Sequence, residues 1–115
     1  MYAGKGIYYT FATQRNMRVH GVITTCAIAL SLYLHISRVE WMILLLAVGL
    51  VMGLEMLNTS LETTLDFVSR EQHPEIGIAK DVAAGAVLVA AFCCVFVGLG
   101  LWGERLLLLL YSTGR

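Results

Sequence analysis

The sequence predicts an all-α membrane protein, with an N-terminal amphipathic surface helix followed by three transmembrane helices. Three observations carry that expectation. The chain is 58% hydrophobic and only 14% charged, about half the charge of an ordinary soluble domain. Two runs without Asp, Glu, Lys or Arg, 19 residues between Arg18 and Arg38 and 22 between Asp81 and Glu104, are each long enough to cross a hydrocarbon core of about 30 Å as a helix. Between them a third apolar segment begins at Trp41, stays uncharged for 14 residues to Leu54, and then takes on a polar stripe while keeping an apolar back of Met56, Leu57, Leu61, Leu65, Phe67 and Val68.

Each element has its own justification. Residues 3–16 mix Ile7, Tyr8, Tyr9 and Phe11 with Lys5, Thr10, Thr13, Gln14 and Arg15, the composition of a helix lying in a membrane interface; a frayed tyrosine-rich terminus is the alternative. The start lacks the basic region and long apolar core of a cleaved signal, so the first span, 19–36, is expected to insert and stay. A short connection through His35 and Arg38 leads to Trp41, an interfacial anchor, and the second span covers 39–68. The only proline, Pro74, sits in a polar stretch that reads as a loop up to Gly77. The third span is expected over 79–103. No repeat or linker divides the chain, so residues 1–115 read as one domain.

Charge excludes some classes and orients the rest. Net charge is zero, which argues against a nucleic-acid partner and against a polybasic lipid patch. Lys5, Arg15, Arg18, Arg70 and Lys80 fall on one side of the expected topology and Arg38, Arg105 and Arg115 on the other. The positive-inside rule then favours a cytoplasmic N-terminus. Cys26, Cys93 and Cys94 lie within spans and have neither disulfide-framework nor metal-site spacing.

Glu55, Asn58, Glu62 and Asp66 interrupt the second span at offsets of 3, 7 and 11, a stripe roughly 80° wide on one helix face. Carboxylates in such a segment are costly unless they face a partner, water or a ligand. With Trp41 at the outer boundary, a rise of 1.5 Å per residue puts Glu55 about 21 Å in and Glu62 about 32 Å in. Glu55, just inside the hydrocarbon, is placed to take a proton from a lipid hydroxyl. Glu62, nearer water, suits a hard divalent cation held through one or two carboxylates and substrate phosphates. Lys80 offers a point charge for a polyphosphate, and Asn58 can orient a headgroup or a carboxylate without adding charge. That is an inventory for phosphoryl transfer at a membrane surface. The competing account makes Glu55 and Lys80 a buried ion pair between helices, with Asn58 as interhelical glue.

Gly98-Leu-Gly-Leu-Trp-Gly103 matches G-x-G-x-x-G but follows no strand and lies away from the carboxylates, so tight helix packing explains it better than phosphate binding. The small residues Ala83 to Ala86 suit a close helix contact or a smooth wall for a lipid chain. There is no Walker A motif and no protein-kinase signature set. Of the histidines, His20 and His35 read most simply as interfacial, and His73, beside Pro74 and near Lys80, is the functional candidate.

The run Glu55-Met-Leu-Asn-Thr-Ser-Leu-Glu62-Thr-Thr-Leu-Asp66, with Glu71-Gln-His73-Pro and Ala79-Lys80-Asp81 after it, closely resembles the small prokaryotic diacylglycerol/undecaprenol kinase family, and the likeness extends from Tyr2 to Trp102. The resemblance implies a membrane homotrimer with active sites shared between subunits, using ATP and Mg²⁺ to phosphorylate a membrane lipid alcohol, in the inner (plasma) membrane of a prokaryote. It also implies residue roles. Glu55 matches the catalytic base, Glu62 a metal and nucleotide ligand, and Lys80 with Asp81 a nucleotide-binding pair. Glu71, Gln72 and His73 match a loop that contacts the nucleotide, Tyr2 an aromatic contact near the surface helix, and Asn58 and Asp66 further polar positions. Gln14 stands where many members carry a second metal-binding glutamate; an amide oxygen can still coordinate, with one charge fewer. The Asn16-Met-Arg-Val-His20 run and the His73-Pro74 and Asp81-Val-Ala-Ala-Gly-Ala sequences look more like the branch acting on undecaprenol than the one acting on diacylglycerol.

The expected function is therefore ATP- and Mg²⁺-dependent transfer of the γ-phosphoryl group to diacylglycerol or undecaprenol. A trimer also has a physical motive, since three thin helices do not enclose four polar groups. Two rivals stand beside this reading: a non-enzymatic oligomer whose Glu55 ring lines an ion or proton pathway, and a kinase relative weakened by Gln14.

Overall fold

A computed structural model describes residues 2–71 and 73–114. Four helices follow in order: α1 (Tyr2–Thr13), α2 (Arg15–Leu34), α3 (Arg38–Val68) and α4 (Pro74–Thr113). The last three are long and apolar enough to cross a membrane, and no strand occurs among the described residues.

Local chemistry sets the joints. Gln14 alone separates α1 from α2, in an extended conformation (φ −108°, ψ 115°), so the surface helix ends at Thr13 and α2 begins at Arg15, short of and ahead of the expected limits of 16 and 19. Between α2 and α3, His35 adopts the left-handed conformation (φ 52°), costly for a residue with a Cβ. In exchange, the N–H groups of His35 and Ile36 reach the carbonyls of Leu32 and Ser31, closing the end of α2. Ser37 then starts α3 with a capping box: its Oγ accepts from the Glu40 N–H at 3.2 Å, and Glu40 Oε1 accepts from the Ser37 N–H at 3.0 Å.

The fourth helix departs most from expectation, running 74–113 rather than 79–103. Pro74 occupies its first turn after an extended His73, where a missing N–H costs nothing and the fixed φ is already helical. The expected loop is shortened, since α4 already begins at Pro74. At the other end Gly103 keeps a negative φ, and the leucines from Leu106 to Leu110 continue a helix that nothing stops before Gly114. At 40 residues α4 is about 60 Å long and traverses the 62 Å long dimension of the chain.

The chain reverses twice, so α2 and α4 run parallel to each other and antiparallel to α3. The α3–α4 pair forms the main interface, and Cys94 Sγ approaches the Ala47 carbonyl at 3.5 Å across it. One end of the bundle is tied by polar contacts. Trp102 Nε1 donates to the fully buried Ser31 Oγ at 2.9 Å, and Arg105 grips Glu40 with both terminal nitrogens at 2.6 and 2.7 Å. Ala27, Ile36, Leu44 and Leu101 form the core beneath them. The Trp102 ring folds over Gly98 so closely that a Cβ there would meet it at 2.9 Å. That glycine serves packing, as the sequence context of the G-x-G-x-x-G match indicates.

Elsewhere the spans face outward. Only 17%, 17% and 6% of the apolar windows of α2, α3 and α4 are buried within the chain, and Leu45, Leu46, Phe92, Phe96 and Leu99 are exposed. Such surface is compatible with lipid or with another copy.

Candidate active site

The two reversals bring the start of α2, the second half of α3 and the start of α4 to the bundle end opposite the Trp102–Ser31 tie. The polar stripe therefore lies on α3 where α1 and α2 cover one side and α4 the other. Phe11 of α1 contributes to that cover: its Cε1 stands 3.1 Å from where a Cβ on Gly21 would lie. Thr10 and Met17 are buried at the same end, at 4% and 1% exposure.

Under this cover Glu55 is 2% exposed, and its Oε2 has no hydrogen-bond partner among the described residues. The nearest basic atom is Nε2 of His20, 3.9 Å away, beyond hydrogen-bonding distance. Asn58 Oδ1, one turn further along α3, is likewise buried and unpartnered. Neighbouring hydroxyls are satisfied locally: Thr59 donates to the Glu55 carbonyl at 3.0 Å and Thr63 to the Thr59 carbonyl at 2.8 Å. Buried polar groups are nearly always paired, so these two acceptors, a turn apart, are open to a donor beyond the described residues, whether water, a ligand or another copy. Both stand on α3 at positions chosen by helix periodicity alone.

Lys80 does not pair with Glu55. Its Nζ lies 2.6 Å from Asp66 Oδ1, which removes the Glu55–Lys80 ion pair that would have explained the stripe structurally. Asp66, Glu71, His73 and Lys80 line one open cavity of about 580 Å³ over the α3–α4 turn, together with Arg70, Ser69 and Gly77. Within it His73 Nε2 is 3.7 Å from Glu71 Oε2. The cavity brings together cations, carboxylates and an imidazole. Asp81 and Tyr2 are exposed outside it, and Gln72 lies outside the described residues.

Glu62 is half-buried on α3, and Gln14 is half-buried at the α1–α2 corner. Among the described residues no three His, Cys, Asp or Glu side chains gather as a metal site.

The approach that sequence reasoning did not anticipate is that of His20, an interfacial residue by sequence, whose Nε2 faces Glu55 Oε2 at 3.9 Å. No spacing signal pointed to this approach: His20 is the second residue of the expected span 19–36, and nothing along the sequence ties it to Glu55. The trimer argument also changes. Glu55 is already buried by its own chain, so the need to enclose the stripe now concerns Glu62, half-buried, and Asp66, exposed.

The fold is that of a small helical membrane protein with three helices long and apolar enough to span, its α3 carboxylates gathered toward one end. The prokaryotic diacylglycerol kinase profile matches residues 1–102. An undecaprenol kinase of Bacillus subtilis is 38% identical over 99 residues, 86% of this chain and 80% of that protein. A diacylglycerol kinase of Synechocystis is 45% identical over 98 residues, 84% of this chain and 56% of that protein. The diacylglycerol kinase of Escherichia coli is 31% identical over 94 residues, 82% of this chain and 77% of that protein. The chain belongs to the prokaryotic diacylglycerol kinase family and is a membrane lipid kinase.

Proposed function

We propose that this lipid kinase transfers the γ-phosphoryl group of ATP to the hydroxyl of diacylglycerol or undecaprenol, with Glu55 as the general base. The observation that carries the assignment is the buried Glu55 carboxylate whose Oε2 lacks a donor, at the bundle end that also holds the Asp66–Lys80 cavity. A hydroxyl donates to that oxygen and loses its proton to it as the new O–P bond forms. The nucleotide occupies the cavity over the α3–α4 turn, with Lys80 turning from Asp66 to a phosphate and Glu71, Gln72 and His73 contacting the rest. Asp81 and Tyr2 extend these contacts, and Asn58 orients the headgroup or the base.

Glu62, with Gln14 at the corner, supplies protein oxygens for Mg²⁺. When bound, the ion neutralises charge on the β- and γ-phosphates. A homotrimer with shared sites completes the arrangement, because a single chain leaves Gln14 and Glu62 half-buried and Asp66 exposed. The active site faces the cytoplasm, where ATP is.

Similarity to relatives named for two different lipids supports either acceptor, and the Asn16 to His20 run leans toward undecaprenol. The test is phosphoryl transfer from radiolabelled ATP, with Mg²⁺, to each lipid in mixed micelles. Transfer to one or both supports the assignment and their ratio selects the substrate; transfer to neither rejects it. Loss of turnover in Glu55→Gln with nucleotide binding retained is expected, and an active Glu55→Gln enzyme removes Glu55 from the role of base.

A further inference from the structure

Glu55 Oε2 and His20 Nε2 face each other across 3.9 Å. That gap is too long for a direct hydrogen bond and too short for an atom between them in line. An oxygen set to one side, about 2.8 Å from each, reaches both. The notch presents an acceptor on the carboxylate and, with Nε2 protonated, a donor on the imidazole. A hydroxyl is complementary to that pair, since it donates one proton and accepts on its oxygen. A phosphate oxygen would be repelled by Oε2, and an ammonium would leave the Nε2–H unpaired.

Access has the matching polarity. The same imidazole, one-fifth exposed, borders an apolar groove of about 460 Å³ between α2, α3 and α4, where Ile23, Ala27, Leu44 and Val51 form the walls. An amphiphile whose hydroxyl arrives from the hydrocarbon side meets His20 first and Glu55 behind it. No Lys or Arg among the described residues pairs with this carboxylate, so His20 is the side chain on hand to hold the incoming oxygen.

We propose that His20 is the second point of the acceptor site: its Nε2–H donates to the lipid hydroxyl oxygen and holds it against Glu55 Oε2. This rests on the reading of Glu55 as base. In the transfer step the hydroxyl O–H bond breaks and its proton passes to Oε2. A lone pair of the oxygen forms the bond to the γ-phosphorus while the bond from that phosphorus to ADP breaks, ADP leaving with the electron pair. Glu55 afterwards returns the proton to water, and His20 keeps its own proton throughout.

The experiment measures steady-state transfer by the full chain in mixed micelles, varying lipid at saturating ATP and ATP at saturating lipid. Losing one neutral hydrogen bond raises the lipid KM of His20→Ala roughly three- to tenfold, with the ATP KM unchanged. His20→Gln, which keeps an N–H near the Nε2 position, recovers most of that loss. An unchanged lipid KM and kcat in His20→Ala overturns the proposal. So does a parallel rise of both KM values in Ala and Gln variants alike with a lower melting temperature, which marks a structural histidine. Glu55→Gln measured alongside separates the two readings: an active variant defeats the base, whereas an inactive one beside an unaffected His20→Ala defeats the two-point clamp alone.

Discussion

Replacing Glu55 with methionine is expected to stabilise the protein while abolishing its activity. The carboxylate is 2% exposed, Oε2 has no partner, and the one nearby basic atom stands at 3.9 Å. Leaving a buried acceptor unsatisfied costs about 1–3 kcal/mol, and more for a charged group. Methionine is unbranched and of similar length, so it fills the same space with little strain, and α3 keeps its backbone bonds, including the one from Thr59 to the Glu55 carbonyl. The expected gain is therefore about 1–3 kcal/mol. Thermal unfolding in detergent, followed by the fluorescence of Trp41 and Trp102 and accompanied by a check of oligomeric state, reads it directly. Thr59→Ala is the control: its hydroxyl is as deeply buried, at 5% exposure, but already bonded, so its removal brings no such gain. A Glu55→Met protein of unchanged assembly that melts at or below the wild-type temperature would show that Glu55 is satisfied, and the reading of the site as a waiting acceptor would fail.

Trp102→Phe leaves the fully buried Ser31 Oγ without its donor and should destabilise by about 1–3 kcal/mol; adding Ser31→Ala should recover part of the loss, and a double variant no better than the single contradicts this. Gly98→Ala forces the Trp102 ring away from its 2.9 Å approach and should cost about 1–3 kcal/mol by overpacking, read as a lower melting temperature. Lys80→Met removes a cation now paired with an exposed Asp66, so stability should hardly change. Losing a charge-assisted phosphate contact should raise the ATP KM about 10- to 100-fold without altering the lipid KM, and an unchanged ATP KM would place the nucleotide elsewhere.

Much of the architecture was legible because it follows from local periodicity and solvent preference. Two charge-free runs of membrane length and a third apolar segment between them marked three spans, and the offsets from Glu55 to Asp66 put four polar groups on one face. Helix ends were less legible. Pro74 reads equally as a loop residue or as the first residue of a helix, and its neighbours decide which. Gly103 stops a helix only when it turns left-handed, and here it does not.

By itself the sequence determined that this is a three-span helical membrane protein with a carboxylate stripe at one boundary, since hydropathy and the 3.6-residue repeat act within one segment. Only the tertiary structure decided who meets whom: His20 with Glu55, Lys80 with Asp66 instead of Glu55, Trp102 with Ser31, and Arg105 with Glu40. The physical reason is that such pairs depend on the rotation and crossing of helices far apart in the chain. Side-chain packing sets those angles, and no spacing along the sequence encodes them.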